Sequence, residues 1–217
     1  MNPLTLLPSA QTDAVRLDAA GGAMFGELRM PAHPEIGRDL IGRVQAAKAT
    51  WRAPAHEREA ASVDVAQKAR HAIAADAQAL RQIVARLSGW PGRPLVGDGG
   101  CQAALTIALN SDHDPSFQIT LLQMLAEAVR RGDATTAQWA HLHDRCLVQS
   151  GRPQRYGTQY RLRDGQLEMC PVVDPEDLDQ QRANAGLPSH RDRLVLLEHR
   201  HVAVRELATV TRERLTA

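Results

Sequence analysis

The chain has 217 residues and a formal charge of +1, from 26 basic and 25 acidic side chains. That length suits one sizeable core, or one domain with an appended segment, and leaves too little for two full domains. The even balance of charge excludes a global field that would draw the protein to nucleic acid or to an anionic membrane.

Lys48 and Lys68 are the only lysines, and the predominance of arginine reads first as the codon usage of a high-GC genome rather than as phosphate recognition. Cys101, Cys146 and Cys170 are odd in number and lack CxxC spacing, which argues against a disulfide framework or a zinc knuckle and for a reducing compartment. The N-terminus lacks the charged segment and long apolar run of a signal peptide, and no window approaches the ~20 apolar residues of a bilayer span. A cytoplasmic location is therefore expected.

Taken in chain order, Pro3, Pro8, Pro31, Pro34 and Pro54 cluster in the first part of the chain and bracket one short helix, Ile36 to Trp51. From Ser62 to Leu87 the residues Val65, Ala69, Ile73, Leu80, Ile83, Val84 and Leu87 recur at mostly helical spacing, giving a long amphipathic helix or two joined ones that Gly89 and Pro91 stop. Gly89 to Gly100 reads as a structured loop leading into a helix from Cys101 to Leu109, apolar nearly all round and hence central. Asp114-Pro115 opens the next helix, because the carboxylate accepts from free N–H groups while proline is tolerated at the first position. Phe117, Leu121, Met124, Leu125 and Ala128 form its apolar face, and Arg130-Arg131-Gly132 ends it.

Thr135 and Gln138 have capping-box spacing, and Trp139, Leu142 and Cys146 supply the buried stripe of a helix running to Gly151, which should pack antiparallel to its predecessor. The periodicity then changes. Tyr156 to Arg163 and Gln166 to Val172 flank Asp164-Gly165, a dipeptide suited to a tight turn, and read as a β-hairpin. Asp174-Pro175-Glu176-Asp177 opens a short helix closed by Gly186 and Pro188, and Arg191 to Leu215 reads as a terminal helix. The predicted fold is thus mainly α, a bundle-like domain with one small antiparallel hairpin near residues 156–172. Residues 1–60 are expected to form an N-terminal extension packed on or preceding a single helical domain, 61–217.

Several groupings invite chemistry. Gly92-x-x-x-x-Gly97 has the glycine spacing of a P-loop, but Asp98-Gly99 stands where Lys and Ser/Thr should bind phosphate and magnesium; Gly97-x-Gly99 lacks the third glycine of a dinucleotide fingerprint. Asp112-His113-Asp114 sets an imidazole between two carboxylates, able to raise its pKa or supply metal ligands, or else is a helix cap with solvated neighbours. In His141-x-His143-Asp144 the two imidazoles point about 200° apart on a helix and cannot chelate one ion. His141, Asp144 and Arg145 share one polar face, opposite Trp139 and His143, and that face is either solvent or a site wall. Gln154, Arg155, Tyr156, Thr158 and Gln159 offer a phenol, a hydroxyl and amides on a loop, fit to orient a polar ligand or to satisfy the backbone. His199 and His201, also two apart, read as surface residues.

Gly89-Trp90-Pro91-Gly92, Leu95-Val96-Gly97, Asp112-His113-Asp114-Pro115-x-Phe117-Gln118, Asp144-Arg145 and Gly151-Arg152-Pro153-Gln154-x-Tyr156-Gly157-Thr158-Gln159 together form a pattern. It resembles a bacterial, largely actinobacterial, domain family of unknown function marked by the Tyr-Gly-Thr-Gln motif, over roughly Ser62 to Pro188. Members of that family are similar in carrying Gln-His-Ala-Asp at the end of the buried helix, where this chain has Leu109-Asn110-Ser111-Asp112. The resemblance implies no established reaction.

The resulting expectation is a cofactor-independent acid/base enzyme, a hydrolase or a lyase/cyclase, acting on a small polar metabolite with no metal. Its site would lie between the Asp112 loop, the Asp144 helix and the Tyr156 loop. His113 or Asp144 would be the base and Tyr156 the acid, with Arg145 as anion clamp. Asp112, Gln154, Thr158, Gln159 and Trp90 would complete the substrate site. The alternative is a non-catalytic protein-binding or accessory module; a metal-dependent hydrolase using Asp112, His113 and His141 ranks third. A homodimer through the C-terminal helix is the expected self-association.

Overall fold

The computed structural model describes residues 30–51, 62–163 and 166–197. The fold is mainly α-helical with one small antiparallel hairpin, as the periodicity predicts. Its elements are α1 (Pro34–Trp51), α2 (Ser62–Leu87), α3 (Arg93–Leu109), α4 (Pro115–Arg130), α5 (Thr136–Gln149), β1 (Tyr160–Arg163), β2 (Gln166–Met169) and α6 (Leu178–Asn184). Residues 190–197 are helical as well, and the rest of the expected terminal helix, with His199 and His201, lies outside the described residues.

The centre of the molecule is α3, whose Cys101, Ala103, Ala104, Leu105, Ile107 and Ala108 are all buried. Apart from a narrow stripe at Asp98, Gln102 and Thr106 this helix is apolar, and its other sides are covered by α1, α2, α4 and α5. It also begins earlier than predicted. Arg93 to Val96 already form a helical turn, which proline tolerates at its start, before Gly97 breaks the spiral at φ 77°. Trp90, just upstream, is 1% exposed and directs its indole N–H at the Cys101 sulfur, 3.4 Å away.

The closest helix pair is α1 with α3. A Cβ on Gly37 would stand 2.3 Å from the Val96 carbonyl oxygen, and one on Gly100 would stand 2.8 Å from the Gly37 Cα. Two glycines thus let the backbones touch, while Ile36 and Leu40 of α1 insert into the core. A fully buried leucine contributes about 1.5–3 kcal/mol relative to an exposed one, so α1 is an integral part of the core. Pro34–Trp51, part of the segment 1–60 expected to pack on or precede the domain, thus lies against its core.

Both predicted helix starts are observed. The Asp114 carboxylate accepts from the Phe117 N–H at 3.0 Å, and Thr135 with Gln138 forms a complete capping box. These caps fix where α4 and α5 begin, and the short connection 131–135 brings α5 back against α4. Phe117, Leu121, Leu125 and Ala128 face inward as expected, against Trp139, Leu142 and Cys146. The hairpin is shorter than predicted, with Tyr160 opposite Met169 and Arg163 opposite Gln166. Its turn at Asp164-Gly165 lies outside the described residues, and Tyr156 to Gln159 form a loop that precedes β1.

Candidate functional site

Asp144 projects from the buried side of α5 and is 0% exposed. Its Oδ1 accepts from the backbone N–H of Arg155 at 2.9 Å and of Tyr156 at 3.1 Å. Its Oδ2 accepts from the Tyr156 and Thr158 N–H groups, each at 3.1 Å, and from the Thr158 hydroxyl at 3.0 Å. Gly157, at φ +60°, provides the curl that turns these amides toward one carboxylate, and a Cβ there would crowd Met169 and Leu178.

The other side of the same loop meets a buried cation. Arg182 of α6 is 1% exposed and donates to the carbonyls of Tyr156 at 2.7 Å, Gly157 at 3.2 Å and Pro188 at 2.7 Å. Burial pushes its guanidinium below the ordinary arginine range. Residues 155–158 are therefore clasped, amides toward the carboxylate and carbonyls toward the guanidinium. A buried charge without such partners would be costly, and here each is satisfied through the peptide dipoles between them.

Gln154, 0% exposed, locks the loop to the strand beyond it. Its side-chain oxygen accepts from the Gln159 N–H at 2.8 Å, and its amide donates to the carbonyls of Gln159 at 3.0 Å and Cys170 at 2.8 Å. The Tyr156 ring packs edge-on against Trp139 (6.1 Å) and His143 (5.9 Å), which stack on each other at 4.5 Å. Burial raises the Tyr156 phenol above its ordinary pKa.

A second network braces α5 from the other direction. Arg145 grips Asp112 through Nε at 2.9 Å and through its terminal nitrogen, and the Gln118 amide adds a bond to Asp112 at 3.1 Å. Partial burial would raise the Asp112 pKa, but the Arg145 guanidinium outweighs it and holds the carboxyl below the usual range.

The structure thus brings Asp144 together with Tyr156, Thr158, Gln154 and Gln159, and Asp112 together with Arg145. It leaves two predicted site residues apart from these groups: His113 is exposed beside the α4 cap, and Trp90 belongs to the core. One expectation about α5 is corrected. Asp144, placed by helical spacing on a polar face with His141 and Arg145, is buried with Trp139 and His143, because the returning 155–158 loop covers it.

A third group was not assembled by sequence reasoning. His141, half-buried on α5, is pushed down to about 4, first by burial and then by the charge of Arg193. The Gln159 amide reaches the His141 carbonyl at 3.3 Å. Next to Gln159, Tyr160 places its hydroxyl 3.1 Å from His190 Nδ1, with the two rings stacked at 6.2 Å. Arg193, whose charge also acts on Tyr160, has a buried Nε without a hydrogen-bond partner among the described residues. Arg182, Tyr160, His190 and Arg193 carried no local signal in the sequence.

Among the described residues no three His, Cys, Asp or Glu side chains come together as a metal set, so Asp112, His113 and His141 do not form one. No helix among them is long and apolar enough to cross a membrane. Fold and loop together define a mainly helical domain built around a clasped Tyr-Gly-Thr-Gln loop. Residues 35–204 match the family of unknown function designated DUF6624, and the chain belongs to that family. The matched region starts within the first turn of α1 and runs beyond residues 62–188, where the sequence pattern was read, on both sides. Comparisons with curated proteins and with solved structures give no match.

Proposed function

We propose that this protein is a cofactor-independent acid/base enzyme, a hydrolase or a lyase/cyclase, acting on a small polar metabolite at the face of the clasp that carries His141. The observation that supports it is an imidazole kept neutral at physiological pH beside Arg193, with the Tyr160–His190 pair close by. In this reading His141 is the base, Tyr160 the proton donor, and Arg193 the seat of an anionic part of the substrate. Burial depresses the imidazole most and the Arg193 charge adds to it, so an anion bound there offsets the second of these causes and raises the basicity of His141 in part, which couples binding to activation.

The roles that the sequence assigned to Asp144 and Tyr156 pass to these residues, since the Asp144 oxygens are occupied by the loop. A thermal-shift screen of small carboxylates and phosphates against wild type, His141→Gln and Tyr160→Phe tests the reading. At least one compound should raise the wild-type midpoint, and its shift should fall by more than half in both variants. A screen without a single shift, or shifts that survive both substitutions, refutes it.

The runner-up, a non-catalytic binding module, draws support from a different observation. The polar groups of Asp144, Gln154 and Thr158 are spent on the chain's own backbone. Because α1 belongs to the core, a truncation that seeks such a partner's docking segment must stop before Pro34.

A further inference from the structure

A cavity of about 310 Å³ opens between α1, α2 and α3, lined by none of the residues of the clasp. Its walls are aliphatic at Val44, Ile73 and Ile107 and polar at Lys48, Asp76 and Asn110. The volume lies at the small end of the ~300–1,000 Å³ range of ligand pockets, and the mix of apolar walls with few polar groups is the usual composition of one.

The cavity carries opposite charges, Lys48 and an Asp76 that is paired with Arg43 through one oxygen only. Asp76 shares Arg43 with Asp39: the guanidinium donates to Asp39 at 2.9 Å and to one Asp76 oxygen at 3.3 Å. The other Asp76 oxygen takes no hydrogen bond among the described residues, and Asp76 is only 19% exposed. Lys48 lines the same cavity and makes no ion pair among the described residues, so it does not neutralise Asp76. Asn110 stands at the C-terminal end of α3, the negative end of that helix, which favours a cation beside Asp76.

We propose that this cavity binds a small zwitterion with an apolar body, of the chemical class of the apolar α-amino acids. The ammonium seats against Asp76 at the end of α3, the carboxylate reaches Lys48, and the side chain lies along Val44, Ile73 and Ile107. The inference is independent of the His141 reading, because the two surfaces share no residue.

Titration calorimetry of the full chain with L-leucine and L-phenylalanine tests it, with N-acetyl-L-leucine and 3-methylbutylamine as probes lacking one charge each. Saturable binding of an intact amino acid is expected, with at least about tenfold weaker binding of both single-charge probes, equivalent to about 1.4 kcal/mol. Lys48→Gln, an exposed change on the rim, should weaken binding by a similar factor, as should Asp76→Asn. Should Asp76→Asn loosen α1 through Arg43, Lys48→Gln alone decides. No saturable heat with either amino acid at about 10 mM overturns the proposal, and so does binding that Lys48→Gln leaves unchanged.

Discussion

Replacing Asp144 by asparagine changes one oxygen for a nitrogen, and the cost can be worked from the donors around it. Four groups donate to the carboxylate: the N–H of Arg155, Tyr156 and Thr158 and the Thr158 hydroxyl. An asparagine carbonyl has two lone pairs, so it keeps two of these donors and turns an NH₂ toward the others. Each buried donor left without a partner costs about 1–3 kcal/mol, giving a loss on the order of 3 kcal/mol. For a chain of this size 1 kcal/mol moves the melting midpoint by about 2–4 °C, so a drop of roughly 6–12 °C is expected. Urea denaturation followed by circular dichroism, alongside thermal melts, measures it. A midpoint within about 2 °C of wild type would show that the clasp does not hold the loop and would refute the reasoning.

The close contact of α1 with α3 predicts that Gly37→Ala destabilises by about 1–3 kcal/mol or more, because the new methyl meets the Val96 carbonyl and not a movable side chain. Gly42→Ala on the same helix meets nothing within 4 Å and should stabilise by about 0.5–1 kcal/mol through helix propensity; equal effects at both sites in chemical melts would contradict this packing. His141 supplies a pH dependence. Its folded pKa of about 4 lies below the unfolded value near 6.5, so the unfolded chain binds the proton first. Stability should therefore be full above pH 6.5 and fall as the pH drops toward 4, by at most roughly 3 kcal/mol from this group. His141→Gln should flatten that slope in denaturant titrations, and an NMR titration of His141 with an ordinary midpoint would rule the account out.

Elements defined by local chemistry were legible in the sequence. Asp114-Pro115 and Thr135 with Gln138 fixed two helix starts to the residue, because a cap is a contact over three positions. The nearly all-apolar run from Cys101 to Leu109, broken only by Gln102 and Thr106, announced a central helix for the same reason of pattern. The start of α3 escaped, since a helical turn interrupted by Gly97 looks like loop composition. Asp144 illustrates the deeper difficulty. Its helical phase relates it to His141 and Arg145, but its burial depends on residues 155–158 arriving from outside the helix and on Arg182 closing them from a third element. Tyr156, Thr158 and Gln159 were recognisable as a polar group, whereas their hydrogen-bond partners were not. Asp112 found Arg145 for a simpler reason: the two sit on neighbouring elements and carry opposite charge.

The clasp around residues 155–158 differs from an ion pair in a way that constrains how the sequence can vary. Two side chains that touch directly can exchange signs and keep their attraction. Asp144 and Arg182 are separated by a strip of backbone whose amides face one and whose carbonyls face the other. The direction of the chain therefore dictates which position carries the acid and which the base. A reciprocal swap of the two would set like polarity against like on both faces, so the double exchange would add two faults instead of cancelling them.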